Sequence, residues 1–182
     1  MTVSEIMTAA LNRLSRGTDS LTVDNNRAAF LDSANKALRI IARQYQPVRR
    51  DLIELSDEKT FSTDDLEREC TKITKVVVNG SEVGYEQDVN GSGEFTVETT
   101  EDECYVYYRY VPKMLSNDID VPEIPKHMHE YIVHYVVACE RCGGDPYTQG
   151  TSSVDFQIFD QFVRSIESCK LGQPSAYRLV NY

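Results

Sequence analysis

"YVYYRYVPKMLSNDIDVPEIPKHMHEYIVHYVVACE", residues 105–140, changes its period twice, and those changes decide the fold. Its first part alternates as a strand does, with Val106, Tyr108 and Tyr110 opposite Tyr105, Tyr107 and Val111, so that both faces of the strand are expected to be covered. A loop bounded by Pro112, Pro122 and Pro125 follows. From Pro125, a proline in the first turn of a helix, the chain to Cys142 is apolar around most of its circumference, and Gly143-Gly144 stops it.

Working back from this stretch, the middle third reads as further short strands. "DLIEL" (51–55), "TKITKVVV" (71–78), "SEVGYE" (81–86) and "EFTVE" (94–98) are β-branched or aromatic and separated by turn signals. Asn79-Gly80 is the strongest of these, because a type I′ turn needs two residues that accept positive φ. Before the strands lie two helical patterns. Thr2 and Glu5 form a capping box ahead of Val3, Ile6, Met7, Ala10 and Leu14, with Gly17 as the expected stop. A longer helix is expected from about Asp24 to Gln46, with Phe30, Leu31, Ala34, Leu38, Ile41 and Tyr45 inward, ended by Pro47. After Gly144, "DPYTQG" reads as a loop. Ser152 and Asp155 open a final helix that buries Phe159, Phe162, Val163 and Ile166 and ends near Gly172. The fold class is α+β and mainly helical. About four helices form a bundle (1–50 with 112–172), a small antiparallel sheet is inserted (51–111), and an extended tail follows (173–182).

The bulk properties narrow the function. The 182 residues carry a net charge of −10 and a pI near 4.8, which disfavours a general nucleic-acid binder. Residues 1–50 hold 8 basic and 4 acidic side chains, a net of +4, so the remainder sums to −14. Such polarity suits head-to-tail contact between copies. Five cysteines with no signal-peptide pattern read as reduced thiols of a protein made in the cytoplasm, and no run approaches the roughly 18 apolar residues of a membrane span.

Candidate chemistry is sparse. His127 and His129 are 200° apart on a helix, and His134 and Cys142 are separated by about 12 Å of rise, too far for one zinc ion. Cys139 and Cys142 offer half a site without a second half, since Cys70 and Cys104 stand alone in the β region. Asp118, Asp120 and Glu123 read as a solvated connector in which Asp120 fixes a turn. No nucleophile elbow is present, and Asn90-Gly91-Ser92-Gly93 lacks the spacing and lysine of a phosphate loop. No cofactor, metal or enzymatic activity is therefore expected. Lys36, Arg39, Arg43, Arg49 and Arg50 form a basic stripe, readable as a protein-facing surface, a DNA-binding patch or plain solvated surface.

With these residues in place, the chain resembles the head-to-tail adaptor (connector, head-completion) proteins of tailed bacteriophages. The resemblance rests on Tyr107-Tyr108-x-Tyr110-x-Pro112, on the loop Asp120-x-Pro122-x-Ile124-Pro125, and on the helix opening at "KHMHEYIVHYVVA". Similarity of layout covers about residues 3–170; the inserted sheet departs from the shorter, all-helical members. It implies a structural virion protein rather than an enzyme, at the head-tail junction and made in the bacterial host cytoplasm. Its copies would form a ring, commonly twelvefold, below the portal protein, extend the DNA channel and give the tail, stopper or neck protein a surface to dock on. DNA would pass only as cargo, with no membrane involved. Twelve copies would carry about −120 formal charge, repelling DNA phosphates. By position, portal binding would fall to Gln173, Pro174, Tyr177, Arg178, Leu179, Val180 and Tyr182, and contact between subunits to the basic stripe. The alternative is a small DNA-binding or regulatory module using Lys36–Arg50.

Overall fold

The computed structural model describes residues 1–88, 93–149 and 153–171. The architecture is mixed α+β, about 46% helix and 24% strand. It divides into two compact units. The helical unit holds residues 1–45 and those from 113 onward, and the β unit is Gln46–Pro112. The β unit therefore begins a few residues before the expected Asp51, because Pro47 forbids further helix and Val48–Arg50 pair as strand.

In the helical unit, α1 (Val3–Arg13) is opened by the capping box: the Thr2 hydroxyl accepts from the Glu5 N–H (3.2 Å) and the Glu5 carboxylate accepts from the Thr2 N–H (2.9 Å). It ends earlier than Gly17, at Leu14, with Ser15 taking the left-handed conformation (φ 55°). Helix α2 (Ser20–Tyr45) starts four residues ahead of Asp24. Asp19 caps it, accepting from the Thr22 N–H (3.1 Å) and hydroxyl (2.8 Å). A 3₁₀ turn over Lys126–Met128 precedes α3 (His129–Cys142), so Pro125 lies just outside the helix proper. Gly143, at φ 67°, ends α3 in the left-handed region that glycine enters without a Cβ clash.

Where a loop was expected, Pro146–Gln149 forms a turn of helix, α4, whose Tyr147 N–H donates to the Asp145 carboxylate (2.9 Å). Helix α5 (Val154–Leu171) is capped by Ser153, which accepts from the Phe156 N–H (3.2 Å); Ser152 lies outside the described residues. The core centres on α3. Ile132, Val133, Tyr135, Val136 and Val137 are buried against α1, α2 and α5, and the Tyr135 and Phe159 rings lie 4.7 Å apart. Because α3 is covered on nearly every side, its sequence shows little polar face.

The β unit contains two antiparallel sheets rather than one. Strands β1 (Val48–Glu54), β7 (Glu103–Tyr110), β3 (Cys70–Val78) and β4 (Ser81–Val83) form the first, in the order β1-β7-β3-β4. Strands β2 (Thr60–Ser62), β6 (Glu94–Val97) and β5 (Tyr85–Gln87) form the second, in the order β2-β6-β5. Asn79 (φ 49°) and Gly80 (φ 83°) make the β3–β4 turn, both at positive φ. The sheets pack through Ile53, Ile73, Val76, Val106 and Tyr108 of one and Phe61, Phe95 and Val97 of the other. Strand β2 escapes sequence reading because three residues carry no period.

One expectation about β7 is overturned. Cys104, Val106 and Tyr108 are buried, whereas Tyr105 on the opposite face is 39% exposed. The second sheet of the β unit packs on the Tyr108 side and not on this one; here Arg50 lies 4.8 Å over the Tyr105 ring and Lys75 4.6 Å over the Tyr107 ring. Cations on long aliphatic stems shield the rings, which lets aromatics alternate on both sides of a strand with one solvent-facing side.

Candidate interaction surfaces

The proline loop is a largely exposed connector, as expected, and it is also fastened to the helical unit. The first amides of α1 have no partner within their own helix, and the loop supplies them: Val3 N–H donates to Asp120 O (2.9 Å) and Ser4 N–H to Asp118 O (3.0 Å). Asn35 of α2 is buried and pairs with both backbone groups of Leu115. Arg27 bonds the Asp118 carboxylate and the Ser116 carbonyl. Asp120 folds the turn, since its carboxylate accepts from the Asn117 and Ser116 amides (both 2.8 Å) and the Ser116 hydroxyl. Those amides bring its pKa down to about 2. Glu123 accepts from the Lys113 N–H (3.1 Å). So held, the loop leaves Met114, Ile119 and Val121 exposed. Three acids each occupied by backbone or arginine do not form an acid–base pair.

The histidines have separate structural tasks. His129 is fully buried; its Nε2 lies 2.9 Å from the Ile124 carbonyl and its Nδ1 2.8 Å from the Met1 nitrogen. The Ile124 contact makes Nε2 the protonated nitrogen, and burial holds the ring below its ordinary pKa. His134 belongs to an ion network joining α1, α3 and α5. Its Nδ1 is 2.9 Å from Asp155 Oδ1, Arg141 Nη1 donates to Asp155 Oδ2 (2.5 Å), and Arg13 Nη1 lies 2.8 Å from the ring nitrogens. Arg13 also pairs with Glu130 (2.7 Å), and Arg16 with Glu140 (2.8 Å). His127 is exposed, on the 3₁₀ turn.

Among the described residues no group of three His, Cys, Asp or Glu is placed to hold a metal. Burial pushes the Cys104 thiol up to about 11 and also raises Cys70 and Cys139, the opposite of what a nucleophilic thiolate needs. A side-chain position for Cys169 lies outside the described residues.

The basic stripe is divided between the units. Lys36, Arg39 and Arg43 are exposed on α2; Lys36 pairs with Asp32 (2.7 Å), Arg39 touches the Met114 sulfur (3.0 Å), and Arg43 makes no ion pair among the described residues. Arg49 and Arg50 stand on β1 in the β unit. Arg49 donates to Asp51 (2.8 Å) and pairs with Glu67, while Arg50 covers Tyr105. The five residues therefore belong to two units, three on α2 and two on β1, with Gln46-Pro47 between them. The +4/−14 polarity is also redistributed, since Arg13, Arg16 and Arg27 of the basic segment meet Glu130, Glu140 and Asp118 of the acidic one. Counted by unit, residues 46–112 hold 16 acidic and 7 basic side chains, a net of −9. The helical unit, with 13 and 12, is nearly neutral.

A buried polar cluster in the β unit lay beyond sequence reading. The Tyr108 hydroxyl donates to Asp51 Oδ2 (2.5 Å), which also accepts from the Glu67 N–H (2.9 Å). Burial, together with the Asp51 charge, raises the Tyr108 hydroxyl well above its usual range. Burial pushes Asp51 up, but the Tyr108, Arg49 and Glu67 donors outweigh it and the carboxyl is held low. The only sequence signal was an acid in a strand of alternating pattern.

The portal-binding candidates Gln173, Pro174, Tyr177, Arg178, Leu179, Val180 and Tyr182 lie outside the described residues. No helix among the described residues is long and apolar enough to cross a membrane. A scan against protein-family models gives no match, and comparison with curated proteins gives none.

Proposed function

We propose that the chain is a head-to-tail adaptor of a tailed bacteriophage: a structural virion protein whose copies ring the channel below the portal and offer the tail or stopper a docking surface. The observation that carries this reading is the element order. The chain leaves a helical unit after α2, builds a separate β unit, and returns through a tyrosine-rich strand and the loop Asp120-x-Pro122-x-Ile124-Pro125 into the buried α3. Two supports are physical. The helical unit is cross-tied by charged pairs and by Asn35, as suits a part that transmits load. The β unit concentrates the negative charge, which beside a DNA channel repels phosphates and lets the genome slide.

In this reading the helices act as a bundle, residues 173–182 meet the portal, and twelve copies close the ring. The test is the mass of the portal oligomer from the same genome, alone and with this protein, by native mass spectrometry. One added copy per portal subunit is the expected result, lost when residues 173–182 are deleted. No gain, with both proteins folded, rejects the reading. A DNA-binding or regulatory module is the competing function. Its basic stripe is partly neutralised, with Lys36 paired to Asp32 and Arg49 to Asp51 and Glu67, so salt-sensitive retention on immobilised duplex is expected only if that alternative holds.

A further inference from the structure

We infer that neighbouring copies associate through the open face of the β1-β7-β3-β4 sheet, which docks on the acidic outer face of the β2-β6-β5 sheet of the next copy. The register places Arg50 opposite Tyr107, Lys75 on the other side of Tyr107, and Lys72 opposite Arg109, so all share the face turned away from the second sheet of the β unit. Val48 and Leu52, more than half exposed, lie beside them. The β unit has seven cations in all. Arg49, Lys59 and Arg68 are ion-paired, whereas Arg50, Lys72, Lys75 and Arg109 make no ion pair among the described residues. Lys72 facing Arg109 is a like-charge cross-strand pair, unfavourable in an isolated sheet and relieved by an incoming carboxylate.

The opposite side of the same sandwich carries the complement. Along β6 and β5, Phe95, Val97 and Tyr85 turn inward, which leaves Glu94, Thr96 and Glu86 outward. A basic, aromatic face and an acidic face on opposite sides of one unit match head to tail. That is the heterologous contact from which rings are built. A two-fold pairing of the open faces, cation end against acid end, is the competing arrangement, and it would leave a Glu86/Glu94 variant associating as wild type. Glu54, Glu103 and Glu82 sit only at the far end of the face.

Four strands about 4.8 Å apart and seven residues of about 3.3 Å cover on the order of 400 Å². That is half the roughly 800 Å² per partner of a stable complex. Each contact is weak alone and gains from closure of a ring. The inference rests on the adaptor reading for that closure only; the contact itself does not need a portal.

The test is sedimentation velocity of the full chain over a range of concentrations, in about 50 mM and about 500 mM salt. The variants are Lys72→Glu with Arg109→Glu, and Glu86→Lys with Glu94→Lys, with folding checked by circular dichroism. The expected result is self-association that weakens at least about tenfold in high salt and in each double variant. An equimolar mixture of the two variants should recover it, since the reversed faces complement one another. If the first pair fails to fold, Lys75→Glu replaces it. A wild-type chain that stays monomeric throughout, a Glu86/Glu94 variant that associates as wild type, or an open face that instead holds a fluorescent single-stranded oligonucleotide overturns the contact. A chain that adds to the portal although these variants change nothing keeps the adaptor reading and loses this contact. One that associates as described but adds no mass to the portal does the reverse.

Discussion

Asn35 holds Leu115 as a neighbouring strand would: its Nδ2 donates to the Leu115 carbonyl (3.0 Å) and its Oδ1 accepts from the Leu115 N–H (2.8 Å). Both residues are buried, 7% and 5% exposed, so water cannot replace either bond. One side chain of α2 thus satisfies a loop backbone that has no secondary structure of its own.

Asn35→Ala leaves a buried donor and a buried acceptor unpaired and should cost about 2–4 kcal/mol. Urea unfolding checks this. A loss below about 0.5 kcal/mol, the usual range for a surface change, would show that the loop is not fastened there.

Asp155 is 8% exposed and faces Arg141, His134 and Arg13. Asp155→Ala strands three cationic or polar partners and should destabilise the helical unit by about 2–4 kcal/mol. Restoring stability with Asp155→Ala combined with Arg141→Met would show that the unpaired cation, rather than lost packing, causes the loss.

The Asp51 carboxyl is held low and the Tyr108 hydroxyl high, so their contributions fail at opposite ends of the pH scale. The depressed Asp51 stabilises above its unfolded pKa, about 3.9, and that part is lost as pH falls below it. The raised Tyr108 stabilises below its unfolded pKa, about 10, and that part is lost as pH rises past it. Tyr108→Phe should lower stability near neutrality by about 1–3 kcal/mol and flatten the alkaline decline, read from chemical denaturation between pH 7 and 10.5.

Asp120 accepts hydrogen bonds from two backbone amides and has its pKa brought down to about 2, so it stabilises above about pH 4 and loses that effect as pH falls towards 2. Asp120→Asn should lower the melting temperature by a constant amount from pH 7 to 5, with the gap narrowing at pH 3. A gap that stays constant to pH 3 would mean the carboxylate charge is not what holds the turn.

Much of this was legible from local pattern. The capping box at Thr2, the Asn79-Gly80 turn, the Gly143 stop and the buried stripe of α2 each depend on neighbours within four residues. Boundaries were less so: Ser15 ended α1 ahead of Gly17, Asp19 opened α2 ahead of Asp24, and β2 is too short for its period to show. Charge bookkeeping by sequence segment was not enough either: the basic stripe spans two units, and Arg13 and Arg16 find their acids more than a hundred residues away.

By itself, the sequence determined the α+β class, the placement of an all-β segment between helical ones, and the absence of a local zinc motif, since propensity and periodicity are short-range. Only the tertiary structure decided which charges remain to meet a partner. Ion pairing acts over a few ångströms of space, and chain folding alone sets which arginine reaches which carboxylate. It cancels Arg13, Arg16 and Arg27 within the helical unit, and gathers Arg50, Lys72, Lys75 and Arg109 on one face of a sheet.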